Sequence, residues 1–270
     1  MASFTILLPA SEGKQPGGNP YAPDMFDYRA SNTFNYFSDL NPDRRALITA
    51  LHEAIEQGEG LEKLFGIKGD YLKQAIEANL KIYNSPLMAA LDRYSPGVLY
   101  QAMDFASLPT GAQRRLLEHG IIFSGLFGLL RPDDLIPNYR LRMDASLPGI
   151  GKVSRFWRTR LSDILNRTVA DKFVWNLLPA AHREAWEDTH TYKQMIEVRF
   201  YRQKNGVRKP VTHGVKPLRG ALANFIVRVA ADSVEALEDW RHPEGFRIDP
   251  EASSWNEETR SGVVVMVASA

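Results

Sequence analysis

Two arginines, Arg131 and Arg140, stand nine residues apart in the run Leu129-Leu130-Arg131-Pro132-Asp133-Asp134-Leu135-Ile136-Pro137-Asn138-Tyr139-Arg140. A guanidinium grips a phosphate or carboxylate through two parallel bonds, so arginines at the rim of an apolar core suit an anion site. Both could equally pair with Asp133, Asp134 or backbone carbonyls, and the local residues leave that open. Ser11-Glu12-Gly13-Lys14 follows an apolar run at 4–9 and offers a hydroxyl and a cation. Loops at strand ends are favoured ligand positions in α/β folds. The P-loop spacing is absent, and an exposed loop lysine is the plain alternative. In Thr212-His213-Gly214-Val215-Lys216-Pro217-Leu218-Arg219-Gly220, three basic side chains recur every third residue ahead of an apolar, helical stretch. Cations beside the free N–H groups of a helix start bind phosphate. His213, whose ordinary pKa is about 6.5, is an acid/base candidate. A basic surface turn is the other reading.

Leu64-Phe65-Gly66-Ile67-Lys68-Gly69-Asp70-Tyr71-Leu72 has the shape of a helix-hairpin-helix, in which hairpin N–H groups hold a DNA phosphate without reading sequence. Gly66, Lys68 and Gly69 would form that contact. Lys68 stands where the motif usually has glycine, and a plain helix connection fits the residues as well. Tyr100 offers a phenol, although a core tyrosine is the simpler account. The 6 histidines show no metal-ligand spacing, and no nucleophile–base pair is legible. No cofactor motif is legible either. The chain has 0 cysteines, which excludes disulfides, thiolate metal sites and thiol-based peroxide sensing. With 33 basic and 32 acidic residues, net charge supplies no general attraction to nucleic acid.

These side chains need a scaffold. At 270 residues with 44% hydrophobic and 24% charged positions, the composition is that of a globular domain. Strands are expected at 4–9, 172–178, 195–201, 207–211 and 262–268, with Gly206 turning a hairpin. Residues 10–32 read as a long loop. Helices are expected from Asn41 (as N-cap) to Gly58, over 61–83 with a break at Gly66–Gly69, and over 86–103 with a break at Ser95-Pro96-Gly97. Further helices are expected over 110–119, 153–167 and 220–231, and from Asp232 to Trp240. Pro132 should leave Arg131 at an element's end. The alternation predicts a mixed α/β fold in a single domain over 1–270, with a helical insert at about 40–110. There is no signal peptide or membrane span, so a cytoplasmic protein without membrane contact is expected.

Several pieces also resemble one family. Ser124-Gly125-Leu126-Phe127-Gly128-Leu129-Leu130-Arg131-Pro132, with Tyr139-Arg140-Leu141, is similar to the Ser-Gly-Leu-Tyr-Gly-Val-Leu-Arg-Pro and Pro-Tyr-Arg-Leu signature of the YaaA proteins, a bacterial peroxide-stress family. Phe127 stands where that family usually has tyrosine. Ser11–Lys14, Lys216–Gly220, Tyr94–Tyr100, Phe156-Trp157 and Gly245-Phe246 match in the same order. Pro179 and His182 replace a serine and a tyrosine of the family pattern. The resemblance implies an α/β globule with a central sheet, a helix-hairpin-helix-like element, and a basic cleft holding Lys14, Arg131, Arg140, Lys216 and Arg219. It implies DNA binding without sequence preference and protection against hydrogen peroxide by limiting iron-driven damage. The contrasting expectation is an enzyme acting on a small anionic ligand in the same cleft, with His213 or Tyr100 in the acid/base role. A scaffold without any ligand is the third.

Overall fold

Strand β1 (Phe4–Pro9) is buried from Phe4 to Leu8, the condition of a strand covered on both faces. It sits inside a sheet of nine strands in the computed structural model, which describes residues 4–22, 36–212 and 214–269. The other strands are β2 (Gly120–Ser124), β3 (Gly128–Leu130), β4 (Phe173–Asn176), β5 (Gln194–Lys204), β6 (Val207–Pro210), β7 (Arg247–Ile248), β8 (Ser254–Asn256) and β9 (Ser261–Ser269). Their order is β7-β9-β5-β4-β1-β2-β3, with β6 added to β5 and β8 to β9. The five strands β9, β5, β4, β1 and β2 run parallel. The sheet edges β3, β6, β7 and β8 pair antiparallel, which gives the mixed α/β fold expected.

The helices are α1 (Asn41–Gln57), α2 (Leu61–Phe65), α3 (Gly69–Leu80), α4 (Ala90–Arg93), α5 (Val98–Met103), α6 (Thr110–His119), α7 (Val153–Val169), α8 (Ala180–Arg183) and α9 (Val215–Val229). One continuous apolar core runs from Phe4 through Leu47, Phe123 and Trp157 to Met266. Phe156 and Trp157 join it as an edge-to-face pair.

Topology sets where a ligand would sit. From β1 the chain crosses to β2 on one side and later returns to β4 on the other. The connections leaving β1 and β4 therefore part at their carboxyl ends and open a crevice there, the usual ligand position in open parallel sheets.

Some boundaries depart from the sequence reading. The helix expected at 220 begins at Val215, so Lys216 and Arg219 lie on its first turns rather than ahead of it. Pro217 tolerates this, because N–H groups of a first turn have no intrahelical acceptor. Asn41 is the first residue of α1, and its side-chain oxygen accepts from Arg44 Nη1 at 2.8 Å instead of capping. Residues 86–103 hold two short helices, α4 and α5, and a two-residue strand at Met88–Ala89. Residues 232–240 form only a 3-10 turn at Glu235–Asp239, with Leu237 its one buried side chain. Of the loop expected at 10–32, residues 23–32 lie outside the described residues. Among the described residues, no helix is long and apolar enough to cross a membrane.

Candidate functional site

Lys14 emerges from β1 into the crevice. Its Nζ donates to the Ser11 carbonyl at 2.9 Å and lies 4.2 Å from the centre of the Tyr139 ring and 5.6 Å from that of Tyr94. Beneath it is a chain of buried hydroxyls. Ser124 Oγ is 2.7 Å from the Tyr139 hydroxyl, which is 2.6 Å from that of Tyr94. Burial lowers the Lys14 pKa to about 8, with Glu12 opposing and Arg140 and Arg93 adding to the shift. Burial pushes the Tyr94 and Tyr139 phenols well up, so both keep their protons at neutral pH. The loop is tied down by Arg93, which is fully buried and bonds the carbonyls of Gln15, Pro86 and Ile136. Gly97 is the contact that admits it, since a Cβ there would overlap Ser11 Oγ. The segments 11–15 and 94–100, distant in sequence, thus form one wall.

The second wall is the run 139–144. It passes directly over Gly125, where a side chain would collide with the Leu141 carbonyl. Arg140 donates from Nε to the Phe65 carbonyl at 3.2 Å and reaches Glu12 at 3.6 Å, while its backbone N–H donates to Asn79 Oδ1 at 2.9 Å. Arg142 pairs with Asp144 at 3.2 Å, and its guanidinium lies against Gly66, 2.6 Å from where a Cβ would stand. Both arginines therefore seat the α2–α3 turn, Gly66-Ile67-Lys68, at the rim of the crevice. Gly66 is left-handed (φ 65°) and so is Gly69 (φ 59°). Lys68 is exposed and 3.2 Å from Glu62.

The third wall is the start of α9. Helices α5 and α9 pack so tightly that a Cβ on Gly220 would strike the Leu99 carbonyl, and Asn224 donates to the Met103 carbonyl at 2.7 Å. The two helices run the same way, so both begin at the crevice end. Arg219 is part-buried, and its Nε has no hydrogen-bond partner. Arg183 and Glu197, ion-paired with each other, are its charged neighbours. His182 follows β4. Burial lowers its pKa to about 4; Asp144 opposes the shift, and Arg219 and Lys216 add to it. Its Nδ1 is also buried without a partner.

The structure thus gathers Ser11, Lys14, Arg140, Lys216 and Arg219 at one end of the sheet, with Gly66, Lys68 and Gly69 at the rim. Arg131 is elsewhere. It follows β3, which runs antiparallel to β2, and so lies at the opposite, amino end of the parallel strands. Its guanidinium donates to the Leu117 carbonyl at 3.1 and 2.5 Å and covers the Tyr36 ring at 5.0 Å. Tyr100 is buried, and its hydroxyl donates to the Pro9 carbonyl at 3.0 Å. His213 lies outside the described residues. The residues that sequence reasoning passed over are Glu12, Tyr94, Ser124, Tyr139 and Arg142. All five sit inside or beside quoted motifs, but nothing in their spacing separates them from core residues. Among the described residues, no group of three or more His, Asp or Glu side chains is arranged to hold a metal ion.

Comparisons with known proteins find relatives over most of the chain. A family model described as "Peroxide stress protein YaaA" matches residues 4–252. A UPF0246 protein of Streptomyces coelicolor is 30% identical over 256 residues, covering 92% of each chain. A UPF0246 protein of Corynebacterium glutamicum is 32% identical over 229 residues, covering 82% of this chain and 84% of its own. One from Cellvibrio japonicus is 36% identical over 151 residues, covering 54% and 57%.

Proposed function

The chain belongs to the peroxide stress protein YaaA family, and from that premise we propose that it holds the phosphate backbone of DNA, without reading sequence, in the crevice at the carboxyl ends of β1, β2 and β4. DNA held this way is shielded from iron-driven oxidation, which connects the binding to the peroxide-stress role. The observation that carries this reading is the double attachment of Arg140, to the Phe65 carbonyl of the hairpin and to Glu12 beside Lys14. It makes the α2–α3 turn and the cationic crevice one surface. A polymer with phosphates at regular intervals can then meet Lys68 at the rim and Lys14, Lys216 and Arg219 within.

The test is fluorescence anisotropy of labelled duplex and bulged DNA across a salt series. With roughly four phosphates neutralised, log affinity should fall against log salt with a slope of about −4. Absent or salt-insensitive binding overturns the reading. The second reading, an enzyme for a small anionic ligand such as a nucleotide, draws on Arg219 Nε on α9 and His182 Nδ1 on α8, both buried without partners. It predicts that nucleotides raise the melting temperature while duplex DNA does not bind.

A further inference from the structure

Lys14 differs from the other crevice cations in where its amine sits. Lys216 and Lys68 are exposed, whereas Lys14 is half-buried against the Tyr139 face with one hydrogen bond, to a carbonyl. Glu12, the nearest acid in sequence, is ion-paired with Arg140. A lysine serving only as a phosphate counter-charge works best solvated and fully protonated. Burial brings its pKa down to about 8, so part of the amine is neutral near neutral pH. A part-buried lysine set against an aromatic face at the carboxyl end of a parallel sheet can serve as an imine-forming nucleophile.

We propose that Lys14 condenses with the aldehyde of a base-free deoxyribose in DNA. The proposal rests on the DNA reading above and names the form of DNA that the crevice takes. Intact DNA offers no electrophilic sugar carbon. Loss of a base, a consequence of oxidative damage, lets the sugar open to an aldehyde at C1′ between two phosphates. The Nζ lone pair attacks C1′, and the carbonyl oxygen gains a proton as nitrogen loses one, giving a carbinolamine. The remaining nitrogen proton passes to that oxygen, and the nitrogen lone pair expels it as water, leaving a carbon–nitrogen double bond. One water is released, and nothing is oxidised or reduced. The hydroxyl chain Tyr94–Tyr139–Ser124, with links of 2.6 and 2.7 Å beside the amine, provides positions for the moving proton. Lys216, Arg219 and Lys68 of the hairpin hold the flanking phosphates.

The experiment is borohydride trapping with the full-length protein, on a duplex carrying one abasic site and on the same duplex intact. Adducts are resolved on a denaturing gel, and the modified peptide is identified by mass spectrometry. Duplex binding is measured separately by anisotropy. Wild type should form an adduct with the abasic duplex only, mapped to Lys14, in a yield that rises with pH around 8. Lys14→Arg keeps the cation and removes the nucleophile, so at saturating DNA its adduct should fall at least about tenfold. Mapping on the wild type does not depend on the variant folding. Duplex binding with no adduct, or an adduct mapped to another lysine, overturns the proposal and leaves the DNA reading standing. No duplex binding overturns both.

Discussion

His182 should leave a signature in the pH dependence of stability. Its folded pKa, about 4, lies below the ordinary 6.5 because burial disfavours the cation. The unfolded chain therefore takes up a proton first as pH falls. Stability is full above pH 6.5 and is lost between 6.5 and 4, by about 2–3 kcal/mol from this group. Urea unfolding at pH 7 and 4.5 should show the wild type losing that much more than His182→Gln. Equal losses would mean that the imidazole is not held in a desolvated place. Gly97 makes a steric prediction. Gly97→Ala puts a methyl group onto Ser11 and should cost about 1–3 kcal/mol. Ser11→Gly in the same chain should return much of it, and thermal melts of the four proteins close the cycle. The importance of Gly97 was not legible, because the partner that forbids a Cβ is 86 residues away. Lys14 was legible as a cation beside a strand end, but not as a buried one, since Tyr94 and Tyr139 come from two other segments.

At the scale of elements, the hairpin separates packing from charge. Gly66 combines a left-handed backbone with the close Arg142 guanidinium. Gly66→Ala should lower stability by about 1–2 kcal/mol and weaken duplex binding several-fold by displacing Arg142. Lys68 is exposed and paired only with exposed Glu62. Lys68→Ala should leave stability within about 0.5 kcal/mol and reduce the salt slope of duplex binding by about one. A melt and a salt titration on each variant decide both. Most elements were readable where the signal was local: the strands expected at 4–9, 172–178, 195–201, 207–211 and 262–268, the Gly206 turn, and the breaks at Gly58 and Gly66. The start of α9 was obscured by Pro217, which reads as a helix boundary yet is harmless in a first turn. The separation of Arg131 from Arg140 was not readable. A spacing of nine residues cannot show that β3 reverses direction and leaves the two at opposite ends of the sheet.

Across the whole molecule, a formal net charge of +1 means that attraction to DNA must come from placement rather than from total charge. The fold places Lys14, Lys216 and Arg219 at the carboxyl ends of the parallel strands and spends Arg131 on a carbonyl at the other end. The two ends of the sheet should therefore differ in what they contribute to DNA binding. Duplex binding should be titrated against salt for wild type, for Lys216→Ala with Arg219→Ala, and for Arg131→Ala. The crevice pair should weaken binding and flatten the salt slope by about two, while Arg131→Ala keeps the wild-type slope. Equal losses in both variants, or a slope untouched by the crevice pair, would contradict it.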